Sequence, residues 1–184
     1  MELMRNQPAT FHALLGRLVD ATIAYLRAQV AAGADAVQLF DSWVGVMGPF
    51  DYERAVLPHV RRLFAGLADL GVPLVLFGTG TAGLLRLQAS SGATVMGLDW
   101  RIALGLARGL LPDMAVQGNL DPTVLLGSYD DVTEQAAWIL DQAAGMPGHV
   151  FNLGHGVLPS TDPDTLRRLV DFVHERSARR GPAA

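Results

Sequence analysis

The sequence predicts an α/β protein built from parallel βα units. Three observations carry the prediction. Short apolar runs bounded by glycine alternate with stretches of helical periodicity along the whole chain. Those runs are apolar throughout instead of alternating, as strands covered on both faces must be. Polar residues gather just after each run, where the loops at the C-terminal ends of parallel strands lie.

The elements follow in order. Phe11, Leu14, Leu15, Leu18, Ile23 and Leu26 recur at helical spacing over 9–32, and Gly33 supplies a stop. "AVQLF" (36–40) reads as a strand. Residues 50–70 read as a helix that Pro58 should kink. "VPLVLF" (72–77) is a second strand, followed by a short helix over 82–90. "TVMGLD" (94–99) is a third, followed by a helix near 101–109. "MAVQGN" (114–119) is a fourth. Asp121 and Pro122 then look like an N-cap and first helical residue, opening helical segments over 122–127 and 130–143. "HVFNL" (149–153) is a fifth strand, and Thr161–Asp164 opens a last helix to about 179. Residues 1–184 are expected to form one domain, with 181–184 as a disordered tail.

Composition excludes several classes. The net charge is −4 with no long block of like charge, which gives no support for bulk electrostatic binding to nucleic acid or membrane. All 14 basic residues are arginine. The absence of cysteine rules out disulfides, thiolate metal sites and a cysteine nucleophile. No apolar run approaches the ~20 residues that span a bilayer, and "MELMRNQPATFHALL" lacks the charged stretch, apolar core and small-residue cleavage site of a secretory leader. A cytoplasmic location is expected.

The polar residues are Asp41 and Ser42 after the first strand and Thr79 and Thr81 after the second. Asp99, Trp100 and Arg101 follow the third, Asn119 and Asp121 the fourth, and Asn152 and His155 the fifth. "GTGTAG" (78–83) faintly resembles a phosphate loop but lacks the Lys-Ser/Thr of a P-loop and the G-x-G-x-x-G spacing. Asp41 is expected to be structural. Asp99 should bond backbone or Arg101, Trp100 should pack in the core, and Asn119 and Asp121 should shape a turn and cap a helix. His12, His59 and His174 fall within helices, at surface or satisfied positions. One rim of polar residues after consecutive parallel strands is how (β/α)8 barrels carry their sites, yet such a barrel takes ~250 residues. Five strands, preceded by a helix with no strand before it, imply an incomplete barrel of TIM type with about five βα units.

"GADAVQLFDSWVG", "GTGTAGLL", "GLDWR", "VQGNLDP" and "FNLGHGVLP", in this order, resemble the uroporphyrinogen decarboxylase family over about residues 5–176. The resemblance implies a (β/α)8 fold, a homodimer, and no metal or organic cofactor. It implies removal of carboxyl groups from the four acetate side chains of uroporphyrinogen III, giving coproporphyrinogen III in haem biosynthesis. It covers only the C-terminal half of family members. The family's Arg-rich substrate loop and its essential aspartate belong to the other half, so a missing N-terminal half is an expected partner.

Residue by residue, Phe40 matches a pocket-lining phenylalanine. Ser42 matches a hydroxyl contact to a substrate carboxylate, and His155 a histidine near a substrate side chain. These three are the candidate substrate-binding residues; no catalytic residue and no metal ligand is assigned. The resemblance implies that protonating a pyrrole carbon makes the electron sink, and that Ser42 and His155 orient carboxylates. Alone, this chain is expected to have little activity. Two other readings stand beside this one. A non-catalytic half-barrel could bind porphyrinogens. A relative of the corrinoid-linked methyltransferases would share the fold, but those enzymes hold zinc with His and Cys, and cysteine is absent here.

Overall fold

The computed structural model describes residues 1–144 and 148–178. The expected tail at 181–184 lies outside them. Contacts divide the chain into two compact units, Met1–Met96 and Gly97–Ala184.

The first unit begins with a short helix α1 (Glu2–Asn6) and the long helix α2 (Pro8–Ala31), whose Pro8 sits in the first turn where a missing N–H costs nothing. Strand β1 (Val37–Asp41) follows, then the turns Val44–Val46 and α3 (Pro49–Asp51). The kink expected at Pro58 takes a definite form. Tyr52–Val56 winds as one wide π-type turn, and α4 (Leu57–Ala65) restarts with Pro58 in its first turn. Strand β2 (Leu74–Gly78) is buried at every position. It runs parallel to β1 with Val37 opposite Leu74 and Asp41 opposite Gly78. Helix α5 (Leu85–Ala89) follows a 3-10 turn at Ala82–Leu84. Leading into β3 (Val95–Gly97), Thr94 N–H donates to Leu74 O at 2.8 Å, so β3 starts beside β2.

The core of this unit includes Tyr52, Leu57, Phe64, Leu67, Leu76 and Leu85, all essentially without exposure. Arg27 ties α2 to the end of α4 by donating from Nε to Gly66 O at 3.0 Å and pairing with Asp69. Arg62 does the same through Asp20. His12 and His59, exposed and half-buried, bond each other ring nitrogen to ring nitrogen at 2.8 Å.

The second unit holds α6 (Leu104–Leu110), β4 (Ala115–Gln117), a 3-10 turn at Pro122–Leu126, α7 (Tyr129–Ala143), β5 (His149–Val150) and α8 (Pro163–Ala178). Leu98 N–H donates to Gln117 O at 2.8 Å, and β4 pairs parallel with β5, Val116 opposite His149. Asp121 caps its turn as expected, accepting from Thr123 N–H at 2.8 Å, but the turn is 3-10 and closes at Gly127. Ser128 caps α7. Helix α8 packs on α7 through the Tyr129 hydroxyl, which donates to Arg168 O at 2.9 Å, and through the Arg176–Asp141 pair at 3.0 Å.

Several boundaries differ from the sequence expectation: β3 and β4 keep three residues each of the expected 94–99 and 114–119, α4 ends at Ala65 and not near 70, and two further differences have a visible cause. The fifth strand is two residues long. Gly118 takes φ +137, which ends the regular ladder; its N–H still donates to Val150 O at 3.0 Å, and beyond it the two segments pair as the isolated Leu120–Leu153 bridge. The helix expected from 101 starts at Leu104, because residues 99–102 are held in a turn by side-chain bonds described below. Among the described residues no helix is long and apolar enough to cross a membrane.

Candidate functional site

In the first unit, the loop leaving β1 carries the predicted residues. Phe40 is 65% exposed and leans on Phe77 of β2, ring centroids 5.7 Å apart and planes at 65°. Ser42 is half-buried, and the Thr79 hydroxyl donates to its carbonyl, so the loop is held through backbone and not through the serine side chain. Gly45 brings this loop against the turn after β2. A Cβ there would stand 2.1 Å from Thr79 O and 2.7 Å from Gly80 C. Val44 anchors the same loop in a cluster with Tyr52, Leu57 and Leu84.

Asp41 is half-buried and is the one charged residue among those lining an apolar cavity of about 290 Å³ with Phe11, Leu15, Met47 and Val56. Burial raises its carboxyl above the usual carboxylate value. Burial, with the Asp41 charge second, also pushes the Tyr52 phenol up to about 12.

In the second unit, the turn after β3 and the turn after β5 meet. Asp99 is buried, with its side chain 2% exposed, and accepts from Arg101 Nη1 at 2.5 Å; Arg101 N–H also lies 3.4 Å from Asp99 Oδ1. The Arg101 guanidinium lies 4.0 Å above the Trp100 ring. The imidazole of His155 meets Trp100 edge-on, centroids 6.2 Å apart and planes at 85°.

His155 is exposed, and its Nδ1 accepts from Gly156 N–H at 2.7 Å. Gly154 makes the contact between the turns possible, since a Cβ there would be 2.5 Å from Trp100 N and 3.0 Å from Asp99 C. The turn is pinned from its other side by Gly154 N–H donating to Leu120 O at 2.7 Å.

Buried Asn119 supports this arrangement. Its Nδ2 donates to Asp99 O at 2.8 Å and to Ile102 O at 2.7 Å, which fixes the 99–102 turn and delays α6. Asn119→Ala leaves two carbonyls without that donor at about 1–3 kcal/mol each. We expect a loss of about 2 kcal/mol or more in urea unfolding. An unchanged midpoint would show that water takes over both bonds.

Asp99 therefore behaves as expected, bonding Arg101, and Asn119 and Asp121 shape their turns. Trp100 does not sit in the core as expected. It is half-buried, because its ring serves as a platform for Arg101 and for His155. The signal was present in "GLDWR": an indole flanked by opposite charges after a strand is placed to stack, not only to pack. No sequence motif marks His149. Its Nε2 lies 2.8 Å from Gly118 O, and its pKa falls below the ordinary value of 6.5, first through burial, with Arg108 adding to this and the Gly118 bond opposing it.

A histidine with a lowered pKa in the folded state binds fewer protons there than when unfolded. Its contribution is therefore complete above the unfolded value of about 6.5 and is lost as pH falls below it. His59, lowered by burial, by His12 and by Arg62, acts in the same direction. We expect the melting temperature to hold steady above pH 7 and to drop on acidification from about 6.5. His149→Gln should flatten part of that drop; an equal slope in the variant would assign the effect elsewhere.

Fold and loops together define a parallel βα chain of the TIM-barrel class with its polar residues on the loops after the strands. A solved methyltransferase from Methanosarcina mazei superposes with a TM-score of 0.76 at 22% identity, covering 86% of this chain and 47% of that one, and shows the fold alone. The family model of uroporphyrinogen decarboxylase (URO-D) matches residues 1–176. Uroporphyrinogen decarboxylase of Saccharopolyspora erythraea is 50% identical, over 96% of this chain and 52% of that protein. Those of Syntrophotalea carbinolica and Nocardia farcinica are 51% and 52% identical, each over 94% of this chain and about half of their own lengths. The chain belongs to the uroporphyrinogen decarboxylase family. It spans about half the length of the curated relatives it matches.

Proposed function

We propose that the chain serves the decarboxylation of the four acetate side chains of uroporphyrinogen III to coproporphyrinogen III, in the cytoplasm and within haem biosynthesis. What supports this most is the family match over residues 1–176. On this reading Phe40, Ser42 and His155 bind substrate: Phe40 offers an apolar wall, Ser42 a hydroxyl and His155 a ring N–H to side-chain carboxylates. In each cycle the C–CO2 bond breaks after a pyrrole carbon has been protonated. The electron pair passes into the cationic ring and CO2 departs; the exocyclic methylene left behind is protonated to a methyl group and the ring carbon gives back its added proton, so that each cycle takes up one proton net. The proton donor and the fixed central carboxylate come from the other half of the family's length, and no cofactor takes part.

On this reading the chain acts as a homodimer or in association with the half of the family's length that it does not span. Exposed Trp43, Val46 and Phe50, grouped on the segment after β1, support such an association. Anaerobic assay tests this reading. The purified chain alone should turn over uroporphyrinogen slowly or not at all. Mixing with the N-terminal half of a relative about as similar as those above should restore activity, and His155→Ala should then lower it at least about tenfold, the scale of a lost charge-assisted hydrogen bond. Full turnover by the chain alone would overturn the division of labour. No activity in any mixture would overturn the reading.

A further inference from the structure

We propose that Arg101 is a carboxylate-binding residue that acts beside His155 on the Trp100 platform. This rests on the function proposed above and extends its site by one residue. The structure gives Arg101 far more support than a surface arginine needs. Its Nη1 is fixed by Asp99, whose carboxylate is buried. Its guanidinium plane is fixed a second time, over the Trp100 ring at 4.0 Å.

Half of the side chain is nevertheless exposed, 51% against 2% for its partner. The pair is oriented with the carboxylate inside and the guanidinium outside. A guanidinium has five N–H donors in a rigid fork, and among the described residues only Nη1 has a side-chain partner. The remaining fork is ordered in advance of any ligand, which removes most of the rotamer entropy a free arginine would lose on binding.

The same indole that carries Arg101 carries His155 at 6.2 Å, and Gly154 locks the two turns together. Two groups able to donate to a carboxylate thus share one rigid aromatic support. Because Asp99 neutralises the formal charge of Arg101, attraction comes from the forked hydrogen bonds more than from a net positive field. Lysine, a point charge without a fork, should replace it poorly.

The test titrates the chain with uroporphyrin III, the air-stable octacarboxylate, and follows porphyrin fluorescence. Arg101→Gln strands the buried Asp99 carboxylate and can cost folding, so Asp99→Asn/Arg101→Gln is measured with it. The double variant should bind about tenfold more weakly than wild type, and Arg101→Lys nearly as weakly. Arg167→Gln, at an exposed pair on α8, should bind as wild type.

Wild-type affinity in the double variant, with His155→Gln weakened, would overturn this role for Arg101 and leave the family function standing. Equal weakening by Arg167→Gln would also overturn it, in favour of diffuse charge. No saturable binding by the wild-type chain would overturn the function of the isolated chain, and this inference with it.

Discussion

Gly154→Ala should destabilise the chain by about 3 kcal/mol and abolish binding at His155, whereas Gly156→Ala, two residues on, should leave both nearly unchanged. The two glycines flank the same histidine, and neither has a left-handed φ, so backbone strain does not separate them. Space does. A Cβ on Gly154 would meet Trp100 N at 2.5 Å, Asp99 C at 3.0 Å and Trp100 Cα at 3.1 Å, all main-chain or Cα atoms that no rotamer change can remove. The turn cannot withdraw either, because Gly154 N–H is bonded to Leu120 O, and Leu120 N–H to Asn152 O at 3.0 Å. Relief must come from separating the 99–101 and 154–156 turns, which takes His155 off the Trp100 platform. Gly156 has nothing within 4 Å of the added carbon. Urea unfolding and uroporphyrin titration of both variants check the contrast. Equal effects would mean that the site does not depend on this contact.

The alternation of apolar runs and helical periodicity marks the position of every strand, although burial on both faces holds along the whole length only in β2; Phe40 of β1 and Val150 of β5 are exposed. Leu74–Gly78 is the extreme case, with no exposed position. Boundaries are legible where a side chain caps locally, as Asp121 does by accepting from the N–H two residues on. They failed where a distant residue decides. Nothing near residue 101 says that Asn119, 17 residues on, holds Ile102 O and delays a helix. The same limit applied to the site. Phe40, Ser42 and His155 are proposed from motifs alone, but the setting of Trp100 depends on a turn more than 50 residues later. His149 carries no sequence signature because its partner is the backbone carbonyl of Gly118.

Gly45→Ala should produce the larger loss in the first unit, about 3 kcal/mol or more, for a reason the sequence does show once the partner is known. The added carbon would stand 2.1 Å from Thr79 O and 2.8 Å from Gly80 O. Two loops touch main chain to main chain here, and glycine is found on both sides of the contact. Gly80 holds φ +67 and lies 3.7 Å, at its own Cβ position, from Gly45 Cα. The loop after β1 cannot lift away cheaply, because Val44 is buried with Tyr52, Leu57 and Leu84 and because Thr79 donates to Ser42 O. Alanine must therefore either expose that cluster or break the Thr79 bond, and either outcome moves Ser42.

Gly83→Ala serves as the control within the same unit, with open space around it and no left-handed φ; it should be neutral or slightly stabilising, through the unfolded chain. Thermal melts of the two variants against wild type decide the matter. A Gly45→Ala chain melting within a degree or two of wild type would show that the two loops can part without cost, and that Ser42 is not held where the backbone contact puts it.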